Sequence, residues 1–449
     1  MSRTTLFVTS ALAALAAGVS AAQAAVPARP NEEPVTLGEV IVTAQGRETA
    51  VADTPIAITA YTPLQRERLG ILSIQDMTNF TPGLSYNSST DRASIRGISR
   101  LTNNFAVDNG VATYSDGVFS NSVVSGSGPP LNVERTEILR GPQGTLFGRN
   151  SIGGVINAIS RRPTDHFYGE ARLTVANFGA QNLAAAISGP ITSWLRYRLV
   201  ANGARQSEGY FTNVANGDTE GGRGSSTYFE GQLEADFGSN VDAWLQMSTF
   251  GYVLHPRSGD QLGPYETALY GIGALGPGAQ MGNPGGFSNF TQLGTDTTNP
   301  ANRDPRLFNA NTQRDVYLRD NFRLHGQVNW RATGFTVSYV GGYEQYHYND
   351  FSDFDGSPVL SYTYPGTATT IFPQYVAQYE EYRYWSSNEI QIKSNDDRAV
   401  QWIFGLFQYN ERYRQPYHIS MPLQTQLENP YYSTFCGFVS TGTCLGGAP

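Results

Sequence analysis

The stretch RGPQGTLFGRNSIGGVINAIS, Arg140–Ser160, places five glycines in its first fifteen residues. Glycine-rich turns often cradle phosphate. The P-loop form needs G-x-x-x-x-G-K-[ST], with the Lys on the phosphates and the hydroxyl on magnesium. Here Gly144 and Gly148 stand one residue too close, and Arg149-Asn150 replace the Lys-Ser pair. The backbone offers another reading: glycine lets a strand turn tightly and lie against a neighbouring wall where a side chain would clash. Gly141, Gly144, Gly148, Gly153 and Gly154 are read as such turn positions, as is Gly97 in the earlier segment ASIRGIS. Val155–Ile159 then forms the last strand of a small domain, and Pro163 hands the chain on.

Beyond Pro163 the pattern becomes an alternation of period two. Tyr168–Asn177 sets Ala171, Leu173 and Val175 on one face, with Glu170, Arg172 and Thr174 on the other. Leu195–Ala204 opposes Leu195, Tyr197 and Leu199 to Arg196 and Arg198. Thr227–Phe237 opposes Phe229, Leu233 and Phe237 to Glu230, Gln232 and Glu234. With Gln181–Ser188, Val241–Gly251, Asp315–Trp330, Phe335–Tyr348, Tyr379–Ser394 and Ala399–Arg412 this makes about nine strands. Several reach about ten residues, enough to cross a bilayer at a tilt.

The connections alternate too. Gly189-Pro190, Gly238-Ser239-Asn240, Arg331–Gly334 and Asn395–Arg398 read as tight turns. Gln206–Ser226, His255–Arg314 and Asn349–Gln378 are long and rich in Gly, Pro, Asn, Asp and Tyr. Short turns on one side and long loops on the other predict an antiparallel transmembrane β-barrel. A soluble β-sandwich also alternates, but it does not need long loops at one end only.

Upstream, Gln45–Thr164 mixes short strands and helices, the composition of a small α+β domain. Asp53–Tyr61 alternates as a strand. Thr62-Pro63-Leu64-Gln65 reads as a capped helix start, and Gly70 as its left-handed stop. Ser73–Asp76 opens a second helix, which Thr81-Pro82-Gly83 ends. Val111–Ser120 carries an Asp116-Gly117 turn signal, and Val133–Leu139 leads into the opening stretch.

Of 449 residues, 15% are charged and 40% hydrophobic, with 26 Tyr, 23 Phe and 48 Gly. The slightly negative mean hydropathy suits a soluble protein and equally a barrel whose strands alternate. Net charge is -8 and Lys393 is the single lysine, so no nucleic-acid surface is expected. At the N-terminus, Arg3, the apolar run Leu6–Val19 and Ala22-Gln23-Ala24 match a cleavable export signal, with a membrane anchor as the alternative. No later run of about 18 apolar residues could form a spanning helix. Ala25–Thr36 reads as a flexible tether. The β-prone LGEVIVTA after it is either a first strand or a peptide that adds to a partner's sheet edge.

These motifs, taken together, resemble the TonB-dependent outer-membrane receptors. The resemblance is carried by LGEVIVTA at 37–44, similar to a TonB box, then DTPIAITAY at 53–61, IRG at 95–97 and DGV at 116–118. VERTEILRGPQGTLFGRNSIGGVINAISRRPT at 133–164 is the most specific part; SSNEIQIKS at 386–394 and WIFGLF at 402–407 are weaker. The layout it implies is a signal peptide at 1–24, a periplasmic tether with TonB box at 25–44, a plug at 45–165 and barrel from 166 to 449. Family barrels have about 22 strands around their plug. The nine strands here therefore read as the N-terminal part of a receptor.

The resemblance further implies TonB as partner, bound through Glu39, Val40, Ile41, Val42, Thr43 and Ala44. It implies outer-membrane lipid around the barrel and a small ligand, a ferric siderophore first and a carbohydrate, cobalamin or other organic nutrient as alternatives. Arg96 and Arg140 would fasten the plug to barrel carboxylates, or else only cap strand–turn junctions. A passive porin and a non-functional truncated receptor are the readings of another class.

Catalytic and metal chemistry finds little footing. No H-E-x-x-H, G-x-S-x-G or dinucleotide fingerprint occurs, so no enzyme and no cofactor are expected. The five histidines are dispersed. Asp350, Asp353 and Asp355 miss the calcium-loop spacing, so no metal site is expected. Cys436 and Cys444 lie close together in an expected outer loop, where oxidising surroundings favour a disulfide. No loop carries a recognisable ligand site.

Overall fold

The computed structural model describes residues 41–42, 49–50, 56–71, 73–87, 92–100, 109–120, 131–257, 288–292, 304, 306–308, 310, 312–353, 359–363, 370–371, 376–394 and 400–420. The chain divides into two units, Met1–Ile41 and Val42–Pro449, and, Ile41 apart, everything below belongs to the second. The export signal, the tether, Glu39, Val40, Thr43, Ala44, the turn at 395–398 and both cysteines lie outside the described residues.

The α+β domain is built around strands Ile58–Tyr61 (β1), Val111–Ser115 (β2), Val118–Ser120 (β3), Val133–Arg140 (β4) and Gly154–Ser160 (β5). They form one sheet in the order β1-β4-β5-β2-β3, with β2 and β5 parallel and the other pairs antiparallel. Helix α1 (Pro63–Leu69) starts as its sequence dictates. Thr62 Oγ1 accepts from the Gln65 amide at 3.3 Å, and Gln65 Oε1 accepts from the Thr62 amide at 3.0 Å. Gly70 closes the helix at φ 68°. Helix α2 (Ile74–Met77) repeats the device with Ser73 and Asp76. Both helices and the hairpin Leu84–Asn87/Arg92–Ile95 close an apolar core of Tyr61, Ile71, Ile74, Met77, Leu84, Ile95, Val111, Ile138 and Ile156. Each such side chain contributes about 1.5–3 kcal/mol by leaving water.

The rest is one antiparallel meander: Tyr168–Ala176 (β6), Ala180–Pro190 (β7), Leu195–Gln206 (β8), Arg223–Phe237 (β9), Val241–His255 (β10), Asp315–Ala332 (β11), Phe335–Asp353 (β12), Val376–Ser394 (β13) and Ile403–Arg414 (β14). The nine expected strands are present in sequence order. Tyr417–Ser420 continues the β14 ladder along β13 beyond Pro416. Among the described residues, β6 and β14 are sheet edges and the barrel is not closed. Strands such as β13, at 19 residues, exceed the roughly 9–11 residues that a bilayer needs, so they continue past it on the long-loop side.

Two boundary expectations are corrected. Gly189-Pro190 is not a turn but the end of β7, paired with Tyr197 and Arg196; the turn is Ile191–Trp194. A proline is tolerated there because a strand's last residue can forgo its amide bond. The long loops also lose residues to longer strands and to local structure. Phe211–Asn213 pairs with Thr219–Glu220 and, in parallel, with Leu307–Phe308, which ties two loops into a three-stranded sheet. Asn213 fixes that junction, with Nδ2 donating to the Ala310 carbonyl at 3.0 Å.

Candidate functional site at the plug and its wall

Strand alternation gives the meander two chemically different faces. One face bears Arg198, Tyr228, Glu230, Gln232, Gln246, His325, Glu344 and Trp385, all buried. What buries them is the α+β domain, whose hairpin β2–β3, β5 end and Leu131-Asn132 lie against that face.

Glu230 is the centre of the lower contact. Its carboxylate accepts from Asn132 Nδ2 at 2.7 Å, Gln232 Nε2 at 2.7 Å, Gln246 Nε2 at 2.8 Å and the Tyr228 hydroxyl. Gln246 Nε2 also reaches Ser160 Oγ at 3.1 Å, and Gln232 Nε2 reaches the Arg161 carbonyl at 3.0 Å. Arg198 donates to the Leu131 carbonyl at 2.7 Å. Arg162 donates to Gln327 at 2.9 Å and lays its guanidinium 3.7 Å over the Trp244 ring. Each bond joins the domain to the wall or braces one that does.

The upper contact is the hairpin. Asp116 and Gly117 turn it at φ 52° and 81°, the conformation the DG signal demands. Asp116 is itself locked by Ser160, whose amide and hydroxyl donate to the two carboxylate oxygens at 2.8 and 2.7 Å. Beyond the turn, Val118 lies against Gly342 of β12: a Cβ placed on Gly342 would stand 2.6 Å from Val118 Cγ1. Phe119 meets Tyr409 edge-on at 5.1 Å, and Trp385 Nε1 donates to the Phe119 carbonyl at 3.2 Å. Arg149 covers both rings at 5.5 and 4.6 Å. Ser120 Oγ contacts Glu344 Oε2 at 3.5 Å, while Glu344 Oε1 pairs with His325 Nε2 at 2.9 Å. Behind the hairpin, the Tyr114 hydroxyl donates to the Phe147 carbonyl, and burial pushes that phenol's pKa up.

The residues singled out from sequence fare unevenly. Gly97, Gly141, Gly148 and Gly154 adopt φ of 79°, 106°, 67° and 155°, so they are turn or special-backbone positions as expected. Gly144 is not a turn glycine. It opens a one-turn helix α3 (Gly144–Phe147), which Gly148 closes. Gly153 and Gly154 are tight spots, but their neighbours belong to the domain and not to the barrel. A Cβ on Gly154 would stand 2.2 Å from the Leu139 carbonyl, and one on Gly153 2.9 Å from Ile98 Cβ. Among the described residues, the glycine that lets plug and wall approach is Gly342; a Cβ on Gly117 would meet Val340 only at an ordinary 3.5 Å.

Among the described residues neither Arg96 nor Arg140 meets a barrel carboxylate. Arg96 is exposed at φ 53° in the turn after Ile95, its amide donating to the Gly83 carbonyl at 2.8 Å. Arg140 ends β4, with Nη1 3.5 Å from the Pro82 carbonyl. They sit at strand–turn junctions, the other reading open to them. Of the TonB-box residues, Ile41 and Val42 are extended and Val42 is buried. Arg314 donates to both Asp350 carboxylate oxygens, at 3.0 and 2.5 Å. Among the described residues no cluster of His, Cys, Asp or Glu could hold a metal ion.

Residues 50–155 match the family described as TonB-dependent Receptor Plug Domain. The ferripyoverdine receptor of Pseudomonas aeruginosa is 30% identical over 145 residues, 31% of this chain and 17% of that receptor. A vitamin B12 transporter of Vibrio vulnificus is 27% identical over 224 residues, 47% of this chain and 34% of the transporter. Among solved structures, the ferric yersiniabactin uptake receptor of Yersinia pestis superposes with a TM-score of 0.59 at 18% identity, covering 82% of this chain and 50% of that one. The chain thus spans about half of that solved receptor and about a third or less of the curated relatives. A plug domain joined to an antiparallel barrel wall defines the class. Residues 50–155 are thus the plug domain of a TonB-dependent receptor, and the wall that follows shares the fold of the solved receptor.

Proposed function

We propose that this chain serves active, TonB-driven uptake of a scarce ligand across the outer membrane, with a ferric siderophore as the leading substrate. The observation that carries the proposal is a plug domain whose seat on its wall is rich in hydrogen bonds, beside a smaller apolar cluster of Leu131 with Ala184, Ala186, Val200 and Tyr228. Such bonds exchange for water at a small net cost, about 0.5–1.5 kcal/mol each, so the seat is releasable by work. The relatives named for ferripyoverdine and ferric yersiniabactin support the substrate class. The vitamin B12 transporter supports cobalamin as the second reading.

The mechanism rests on the division into signal peptide 1–24, tether and box 25–44, plug 45–165 and barrel 166–449. Ligand binding on the outer side shifts the plug's conformational balance. Glu39, Val40, Ile41, Val42, Thr43 and Ala44 then pair as an added strand with TonB. Backbone pairing bears load while tolerating varied side chains. A Cys436–Cys444 disulfide stiffens an outer loop, and alkylation before and after reduction reads it directly.

The test is Val40→Pro or Ile41→Pro in the complete gene, followed by labelled ferric-siderophore uptake under iron limitation. Proline removes a ladder donor, so uptake should vanish while surface binding of ligand persists. Uptake at the wild-type rate would sink the assignment of the box. Cobalamin uptake in place of siderophore uptake would move the ligand to the second reading.

A further inference from the structure

Five adjacent strands set inward side chains in one cross-strand row. Glu230 on β9 opposes Ser248 on β10, which opposes Arg323 on β11; Arg323 opposes Glu344 on β12, which opposes Trp385 on β13. All five are buried, between 1% and 6% exposed, and none of these strands is an edge of the sheet. At about 4.8 Å per strand, Glu230 and Glu344 stand roughly 14 Å apart with one cation between them.

The plug meets this row with neutral groups. Asn132 Nδ2 donates to Glu230 at 2.7 Å, Ser120 Oγ lies 3.5 Å from Glu344, and the Phe119 carbonyl accepts from Trp385. The sequence says the same of the whole stretch. From Leu101 to Asn132 the plug carries no Lys, Arg or His, and its charged residues there are Asp108 and Asp116. The cation comes from the wall. Arg323 Nε is 3.6 Å from Glu344 Oε1, and its charge also acts on Glu230, across a serine too small to part them. The next row toward the short turns holds Arg198, Gln232, Gln246 and His325. His325 Nε2 meets Glu344 Oε1 at 2.9 Å, while Arg198 is turned to the Leu131 carbonyl at 2.7 Å.

We propose that Arg323 is the shared counter-ion of Glu230 and Glu344, a positioning residue that keeps the charge of the seat on the wall. The proposal rests on the reading of the plug as a releasable part and adds why its release separates no charges. A buried carboxylate needs a cation, and removing that cation is strongly destabilising. Were the cation on the plug, every release would pull opposite charges apart in a low-dielectric gap and leave bare carboxylates behind. With Arg323 on β11, the departing plug breaks bonds from neutral donors, which water replaces. The row that it uncovers stays compensated.

The test follows limited proteolysis of the plug in the product of the complete gene, held in detergent micelles. Arg323→Gln should speed cleavage of the plug by roughly a hundredfold, because two buried carboxylates lose their cation at once. Adding Glu344→Gln should bring the rate back to within about tenfold of the unaltered protein. Arg323→Lys, which keeps the charge, should stay near the unaltered rate. A side chain that only filled space would give a loss that Glu344→Gln does not relieve. That outcome overturns the proposal, as does a fully protected plug in Arg323→Gln or a Lys variant as labile as the Gln variant. Should Arg323→Gln fail to fold, the double variant decides: a seated plug supports the proposal, and a second failure overturns it. None of these readouts involves transport, so a failed uptake experiment leaves this one standing.

Discussion

Along β9, neighbouring side chains answer to different surroundings. Tyr228, Glu230 and Gln232 point at the plug and are buried; Phe229, Leu233 and Phe237 point away and are 40%, 45% and 55% exposed. A soluble domain would reverse that assignment, putting Leu and Phe where Glu230 lies. The plug's own interior does so, with Ile138, Leu139 and Val155 at 0%. The protein thus uses an apolar core inside the plug and a largely polar contact where plug meets wall, with apolar patches only around Leu131 and Phe119. An apolar interface of that extent would release water once and resist parting, whereas hydrogen bonds find equivalent partners in water.

That comparison can be broken at four places. The largest effect is expected for Glu230→Ala, which strands donors on Asn132, Gln232 and Gln246 at once. It should lower the stability of the seated plug by about 4 kcal/mol, read as earlier thermal unfolding and faster proteolysis of the plug in detergent, with Glu230→Gln losing far less. A plug equally protected in the alanine variant would show that Glu230 is not its anchor. Next comes the outward face: Leu233→Arg should cost about 3 kcal/mol in folding titrations in lipid vesicles and leave plug proteolysis unchanged. An effect on the plug alone would mean that the two faces have been assigned the wrong way round. Gly342→Ala should cost about 2 kcal/mol, because the new methyl collides with Val118 at 2.6 Å and with His325 Cδ2 at 2.7 Å. Adding Val118→Ala should restore part of the loss, the part not due to His325, and fully additive losses would deny the contact. The smallest, Thr62→Ala, removes the α1 cap for about 1 kcal/mol and should lower plug stability without altering wall contacts.

Much of the framework was legible because it is local. Thr62, Gln65 and Gly70 specify the start and stop of α1 within one short segment, and the nine strands follow from a period that every pair of neighbours repeats. The seat was not legible. Asn132 finds Glu230 across 98 positions and Ser160 finds Gln246 across 86, and nothing near any of them marks the pairing. The errors have the same origin. Gly144 was grouped with turn glycines although its neighbours fold a single helical turn, a choice set by packing around Tyr114 and Phe147. The glycine-rich stretch does govern close approach, yet most of it is spent inside the plug.

Val118 in the space left by Gly342 has a consequence for motion. Inward positions on β12 recur every second residue, so a plug sliding along the strand meets its next resting place after about 6.6 Å. There Val118 would face the bulk of Val340 or Glu344 in place of a bare backbone. The wall therefore offers this tooth a single notch and no shallow slope on either side. A plug that moved would first have to lift its hairpin off the strand, and one set down a step out of place could not close its contacts.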